Sequence, residues 1–149
     1  LEEQKMDVTI SDISKEALEV AKLNQDKLSA KAKRIHSDLF DHIEKTFDII
    51  VSNPPYIPDE EDVQNIVKKE PNVALYGGKL GVDFYEKILL ASKTHIKNKA
   101  LIAFEHGYQQ KEKIKSFVET IYPEASILQK KDLQGKDRFT FIGIGIKLS

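Results

Sequence analysis

Phe47-Asp48-Ile49-Ile50-Val51-Ser52-Asn53-Pro54-Pro55-Tyr56 is an almost continuous apolar run that ends in a polar amide, two prolines and an aromatic ring. A run without polar alternation reads as a parallel strand covered on both faces, not as the half-wet strand of an antiparallel sheet. In open α/β sheets ligands gather beyond the carboxyl ends of the strands. The stretch therefore predicts both a fold class and the place where the chemistry sits, at Asn53.

Working outward from it, the pattern is one of strands alternating with helices. Upstream, residues 6–11 carry Val8 and Ile10 and read as a strand, and Ser14 is a good N-cap for a helix over 15–28 in which Leu18, Ala21 and Leu28 recur at roughly helical spacing. Residues 32–36 read as a short second strand. Downstream, Phe84, Tyr85, Ile88, Leu89, Ser92 and Ile96 trace one face of a helix over 82–96, followed by a strand at 100–104. Ile114, Phe117, Val118 and Ile121 mark a helix over 109–121, and strands at 126–129 and 139–147 close the chain as an antiparallel pair. The alternation predicts an α/β sandwich with a mostly parallel sheet. Residues 54–80 form a long connection rich in Pro, Gly and acids, with a turn or two of helix around Asp62 to Lys69, and connections of that length are more often functional than idle.

Composition narrows the function classes. The 149 residues are enough for one substantial core. A formal charge of −1 gives no global attraction for a phosphate backbone, so no direct nucleic-acid binding is expected. The absence of cysteine removes disulfides, thiolate nucleophiles and Cys-based zinc sites, and fits a cytoplasmic setting. His36, His42, His95 and His106 lack metal-ligand spacing, so no metal is expected. No apolar stretch approaches the roughly 20 residues of a membrane span, and the N-terminus lacks the core of a secretory signal. The chain opens on Leu1-Glu2-Glu3-Gln4-Lys5 and runs at once into a strand, a start that reads as a cut.

Asp12, Asp38, Asn53 and Glu105 all follow predicted strands. A carboxylate in the position of Asp12 has two oxygens that match a ribose diol. An Asp there equally begins a turn or helps Ser14 cap its helix, and spacing does not choose between these roles. Asn53-Pro54-Pro55-Tyr56 is more specific. Asn53 offers a neutral carbonyl acceptor, and Pro54 fixes φ near about −65° while its own carbonyl stays free. Two converging acceptors can hold both hydrogens of one planar NH2 group, aim its poorly nucleophilic nitrogen and favour pyramidalisation. Tyr56 would stack on the flat group and exclude water. The alternative for the tetrapeptide is a rigid Pro-Pro turn beside a core tyrosine.

Taken together, these residues resemble the HemK/PrmC-type release factor glutamine-N5 methyltransferases. The resemblance runs through Val8-Thr9-Ile10-Ser11-Asp12-Ile13-Ser14, Glu16-Ala17-Leu18, Ser37-Asp38-Leu39-Phe40 and Ile50 to Ile57. It continues through Glu70-Pro71, Ala74-Leu75, Gly77-Gly78, Gly81, Phe84-Tyr85, Glu105-His106-Gly107-Tyr108-Gln109, Asp132-Leu133, Gly135 and Asp137-Arg138. It implies a Rossmann-like class I methyltransferase sandwich using S-adenosylmethionine and releasing S-adenosylhomocysteine. Asp12 would bind the cofactor ribose, Asp38 and Leu39 would border the adenine, and Asn53 would lie between cofactor and substrate. Asn53, Pro54, Pro55 and Tyr56 would bind the substrate, with Asn53, Pro54 and Tyr56 as the catalytic set. The implied partner is a class 1 peptide-chain release factor, methylated on the glutamine of its Gly-Gly-Gln loop.

Two departures stand out. Leu80 occupies a position that is usually acidic in the family. The family's first strand, the glycine-rich cofactor loop after it and the N-terminal helical domain have no counterpart here, so residues 1–149 read as a partial catalytic domain in which two inner strand edges lose a partner. The alternatives are an adenine or cytosine amino-methyltransferase acting on DNA or RNA, since a flipped base also presents a planar NH2, and a non-catalytic scaffold that keeps the fold.

Overall fold

The computed structural model describes residues 6–54 and 81–149, which fall into two compact units that divide between Lys45 and Thr46. Pro55, Tyr56 and the helical turns expected at 62–69 lie outside the described residues.

The first unit is a β-α-β crossover of β1 (Thr9–Asp12), α1 (Lys15–Leu28) and β2 (Lys33–His36), with the strands parallel and in register from Thr9 opposite Lys33 to Asp12 opposite His36. The predicted cap is present. Ser14 sits in an extended conformation and its Oγ accepts from the Ala17 amide at 3.1 Å, satisfying one of the orphan donors of the first turn. The helix ends on Ser29 in the left-handed region, where the Ala30 amide returns to the Gln25 carbonyl at 3.0 Å. Leu18 is buried, whereas Leu28, the last helical residue, is exposed. A buried Gln25 completes the inner face: its Nε2 donates to the Ala32 carbonyl at 3.1 Å and its Oε1 accepts from Arg34, which ties the helix to the start of β2.

The second unit contains β3 (Phe47–Ser52), α2 (Asp83–Ser92), β4 (Ile96–Glu105), α3 (Lys111–Ile121), β5 (Ser126–Lys131) and β6 (Asp137–Ile144). The sheet order is β3-β4-β6-β5, with β3 parallel to β4 and β6 antiparallel to both β4 and β5. The closing antiparallel pair is thus as expected, and β6 enters between β4 and β5. Ile102, Phe104 and Ile142 of the sheet are buried, as are Tyr85, Ile88, Leu89, Ile114 and Val118 of the helices. Each such side chain contributes about 1.5–3 kcal/mol on burial. Tyr85 and Phe104 meet edge to face, with ring centroids 5.3 Å apart.

Two expectations need correction. The helix predicted to reach Ile96 ends at Ser92, because Ser92 Oγ donates to the Leu89 carbonyl at 2.8 Å and the His95 amide to the Ser92 carbonyl at 2.8 Å, closing a turn. Ile96 is apolar at helical spacing because it opens β4, where it pairs with Phe47. The second correction concerns β3. Its apolar run predicts burial on both faces, yet Ile49 and Val51 are 53% and 76% exposed. Among the described residues β3 pairs with β4 alone and is an edge strand.

Candidate functional site

In the first unit, parallel pairing brings the carboxyl ends of β1 and β2 side by side, and with them Asp12, Asp38 and Leu39. Asp12 is half-buried. Its Oδ1 accepts from the Ser14 amide at 2.7 Å, so the turn role is realised. Among the described residues its other carboxylate oxygen accepts no hydrogen bond, which leaves one anionic acceptor at the strand end. Past β2, exposed Asp38 opens a turn in which its carbonyl accepts from the Asp41 amide at 3.0 Å. Leu39 follows at φ 45°, a left-handed conformation that costs a non-glycine residue about 1–3 kcal/mol and tends to persist where a site requires it.

The surroundings hold that turn in place. The His42 amide donates to Ser37 Oγ at 3.0 Å, and His42 Nδ1 donates to the His36 carbonyl at 2.9 Å. His36 Nε2 in turn donates to the Ile13 carbonyl at 2.9 Å, tying the end of β2 to the loop after β1. These histidines have positioning roles that sequence reading missed, having weighed them only as metal ligands. Among the described residues no cluster of His, Cys, Asp and Glu is able to hold a metal ion.

In the second unit, Asn53 and Pro54 emerge where expected, directly beyond β3. Asn53 is exposed and Pro54 is buried, so the polar side chain faces outward from a fixed backbone. Ser52 pairs with Phe104, which brings Asn53 out at the level of Glu105 on β4.

A hydrogen-bonded knot supports this edge. The Tyr85 hydroxyl donates to the Glu105 carbonyl at 3.1 Å and lies 3.4 Å from Gln110 Oε1. Gln110 Oε1 also accepts from the Gly107 amide at 2.9 Å, and Gln110 Nε2 donates to the carbonyl of Gly81, a residue at φ 64°. His106 was expected only as part of a turn, but it is fully buried. Its Nδ1 donates to the Gly107 carbonyl at 2.9 Å and its Nε2 accepts from Thr140 Oγ1 at 2.9 Å. Burial holds its pKa below the usual imidazole value against the opposing Gly107 hydrogen bond, and the Arg138 charge adds to the lowering. The signal for Tyr85 was a phenol on a buried helical face, which needs a partner for its hydroxyl. Gln110 carried no such signal.

Comparison with known proteins places these features in context. Residues 1–109 match the model of the methyltransferase small domain. The chain is 39% identical to a release factor glutamine methyltransferase of Bacillus cereus over 147 residues, which is 95% of this chain and 52% of that protein. It is 40% identical to the Bacillus subtilis protein of the same name over 144 residues, 93% of this chain and 50% of that protein. The chain thus spans about half the length of these curated relatives. Among solved structures, a methyltransferase from Pyrococcus furiosus superposes with a TM-score of 0.66 at 23% identity, covering 94% of this chain and 64% of that one. A ribosomal protein L11 methylase from Lactobacillus delbrueckii subsp. bulgaricus gives 0.62 at 17% identity, covering 95% and 58%. Likenesses at these identities establish the Rossmann-like class I methyltransferase fold.

Proposed function

The chain belongs to the methyltransferase small domain family, and from that premise we propose that it is the catalytic portion of an enzyme that transfers a methyl group from S-adenosylmethionine to the N5 amide nitrogen of the Gly-Gly-Gln glutamine in a class 1 release factor. The observation that carries this reading is the exposed Asn53 and buried Pro54 at the carboxyl end of β3, in a chain whose relatives are named release factor glutamine methyltransferases. No helix among the described residues is long and apolar enough to cross a membrane. We place the enzyme in the cytoplasm, where its substrate works.

Asn53 Oδ1 and the Pro54 carbonyl accept the two amide hydrogens of the substrate glutamine. Both acceptors are neutral, so they aim the nitrogen without abstracting a proton from the ground-state amide. The residue type of Tyr56 suits a stacking cover over the flat group that would exclude water. When bound, S-adenosylmethionine would supply an electrophilic methyl carbon on its sulfonium, and transfer of that methyl to the amide nitrogen would leave S-adenosylhomocysteine. The amide proton leaves to solvent afterwards. Much of the acceleration comes from holding the nitrogen in line with the methyl carbon.

The first unit fits the cofactor. The unengaged oxygen of Asp12 suits a ribose hydroxyl, and Asp38 with left-handed Leu39 suits the border of an adenine. In this reading the family's glycine-rich loop, first strand and N-terminal helical domain belong to a longer enzyme. The coverage of about half of each relative supports that, as does the single pairing of β1 and of β3 among the described residues. Residues 1–149 alone are therefore expected to bind S-adenosylmethionine weakly or not at all. Calorimetric titration giving micromolar affinity for the segment would refute this part.

The function is tested with labelled S-adenosylmethionine, the full-length enzyme and three acceptors: a release factor, the same factor with its Gly-Gly-Gln glutamine replaced, and nucleic acid. Label confined to the unaltered factor is the expected result. Label on nucleic acid overturns the reading in favour of an amino-methyltransferase acting on bases, and no label leaves a scaffold.

A further inference from the structure

The turn between β5 and β6 carries Leu133, which is fully exposed at 108% relative to an extended reference, although a turn tip needs no apolar residue. The turn is tightly built. Asp132 Oδ1 accepts from the amides of Gln134 and Lys136 at 2.8 and 3.0 Å, and its Oδ2 accepts from Arg138 Nε at 3.3 Å. Gly135, at φ 80°, donates its amide to the Asp132 carbonyl at 3.0 Å. Arg138 Nη1 donates to the His106 carbonyl at 3.2 Å, which anchors the turn to the end of β4. Leu133 is thus an apolar knob on a rigid mount.

Its neighbours extend the surface. Tyr108, in the loop after β4, is half exposed, and the Lys136 ammonium lies 5.8 Å from its ring centroid. Both acids of the turn region are engaged by cations, Asp132 by Arg138 and Asp137 by Lys111. Lys130, Lys131 and Lys136 remain exposed around the knob. The surface therefore combines an apolar centre, an aromatic ring and a cationic rim. Because β6 runs antiparallel to β4, the turn lies beyond the same end of the sheet as Asn53, the carboxyl end of β3 and β4, and β6 is two strand spacings from β3, about 10 Å.

We propose that the β5–β6 turn, with Leu133 at its centre and Tyr108, Lys130, Lys131 and Lys136 around it, is a docking surface for the body of the protein substrate, whose complementary face offers an apolar socket flanked by carboxylates. This rests on the function proposed above and goes beyond it: Asn53 and Pro54 grip one amide, while the turn engages the folded protein that carries it. A protein is favoured over nucleic acid because a phosphodiester backbone has no complement for a fully exposed leucine. An exposed apolar centre within a polar rim is the usual anatomy of a protein-binding surface.

The test compares the full-length enzyme with its Leu133→Ser and Lys136→Glu variants. Calorimetry measures binding of the intact release factor, and steady-state assays use both that factor and a short peptide containing Gly-Gly-Gln. Each variant is expected to weaken factor binding and raise its KM about tenfold with kcat retained, and to leave peptide kinetics unchanged. Unchanged factor binding overturns the proposal, as does an equal loss with both substrates. A marked fall in the melting temperature of Leu133→Ser also overturns it, by showing that the leucine packs against the enzyme's own chain. Binding of nucleic acid that depends on Leu133 and Lys136, without factor binding, assigns the surface to that other partner. Factor binding that depends on Leu133 but yields no methylated glutamine fails the proposed function and leaves the docking surface standing.

Discussion

The Tyr85 hydroxyl donates to the Glu105 carbonyl across 3.1 Å, joining α2 to the last residue of β4, at the level where Asn53 leaves β3. The ring itself is fully buried against Phe104. Tyr85→Phe keeps the ring and removes the hydroxyl, leaving the Glu105 carbonyl without that donor. The expected cost is about 1 kcal/mol in urea unfolding, with the unfolding slope unchanged. A variant as stable as the parent would show that this bond adds nothing to the fold.

Asn53 is exposed and, among the described residues, makes no side-chain hydrogen bond that holds the sheet together. Replacing it should therefore affect chemistry and spare the fold. In the full-length enzyme, Asn53→Ala is expected to lower kcat about 100-fold, the range seen when a preorganised polar contact to the reacting group is lost. The melting temperature should stay within a degree or so. Unaltered turnover would remove Asn53 from the mechanism.

The elements were legible wherever periodicity and local chemistry agreed. Ser14 caps α1 as its residue type predicts, and the β3 run leads into Asn53 as its apolar continuity predicts. Legibility failed where an apolar residue satisfied two patterns at once. Ile96 continues the helical spacing of α2 but belongs to β4, and only the turn at Ser92 to His95 decides between them. The burial of β3 was misread because covering a strand depends on neighbours that a local window does not contain. The places of Asp12 and Asp38 in the first unit, and of Asn53 in the second, just beyond strand ends, were legible from the pattern of strands. Gln110 and His106 could not, because their roles arise from partners such as Gly81 and Thr140, about 30 residues away in the chain.

Asp132 organises the β5–β6 turn as a carboxylate. Its pKa is held below the usual value chiefly by the Lys136 amide, against the opposing effect of burial, with the Gln134 amide and the Arg138 side chain adding to the lowering. A depressed carboxylate pKa gives stability that is complete above the unfolded value of about 3.9 and is lost as pH falls through the folded value. Amide exchange at Gln134 and Lys136 should thus be protected near neutrality and lose protection only below about pH 4. Asp132→Asn should remove this acid transition and leave both amides less protected than in the parent near neutrality. Protection that survives acid unchanged would show that the backbone alone sets the turn.

The opposite end of the titration range tests His106. Its ring is fully buried, accepting from Thr140 and donating to Gly107, and burial, joined by the nearby Arg138 charge, lowers its pKa from 6.5 against the opposing effects of the Gly107 hydrogen bond and Asp137. A base with a depressed folded pKa binds fewer protons folded than unfolded in the window between the two values. Stability therefore rises with pH there: the contribution is complete above about pH 6.5 and is lost as pH falls through that window. Unfolding free energies measured from pH 8 downward should decline once pH passes below about 6.5. His106→Gln removes the titrating group and should flatten that part of the curve, while lowering stability at pH 8 by loss of the ring's packing. A decline of equal steepness in the variant would assign the pH dependence to another group.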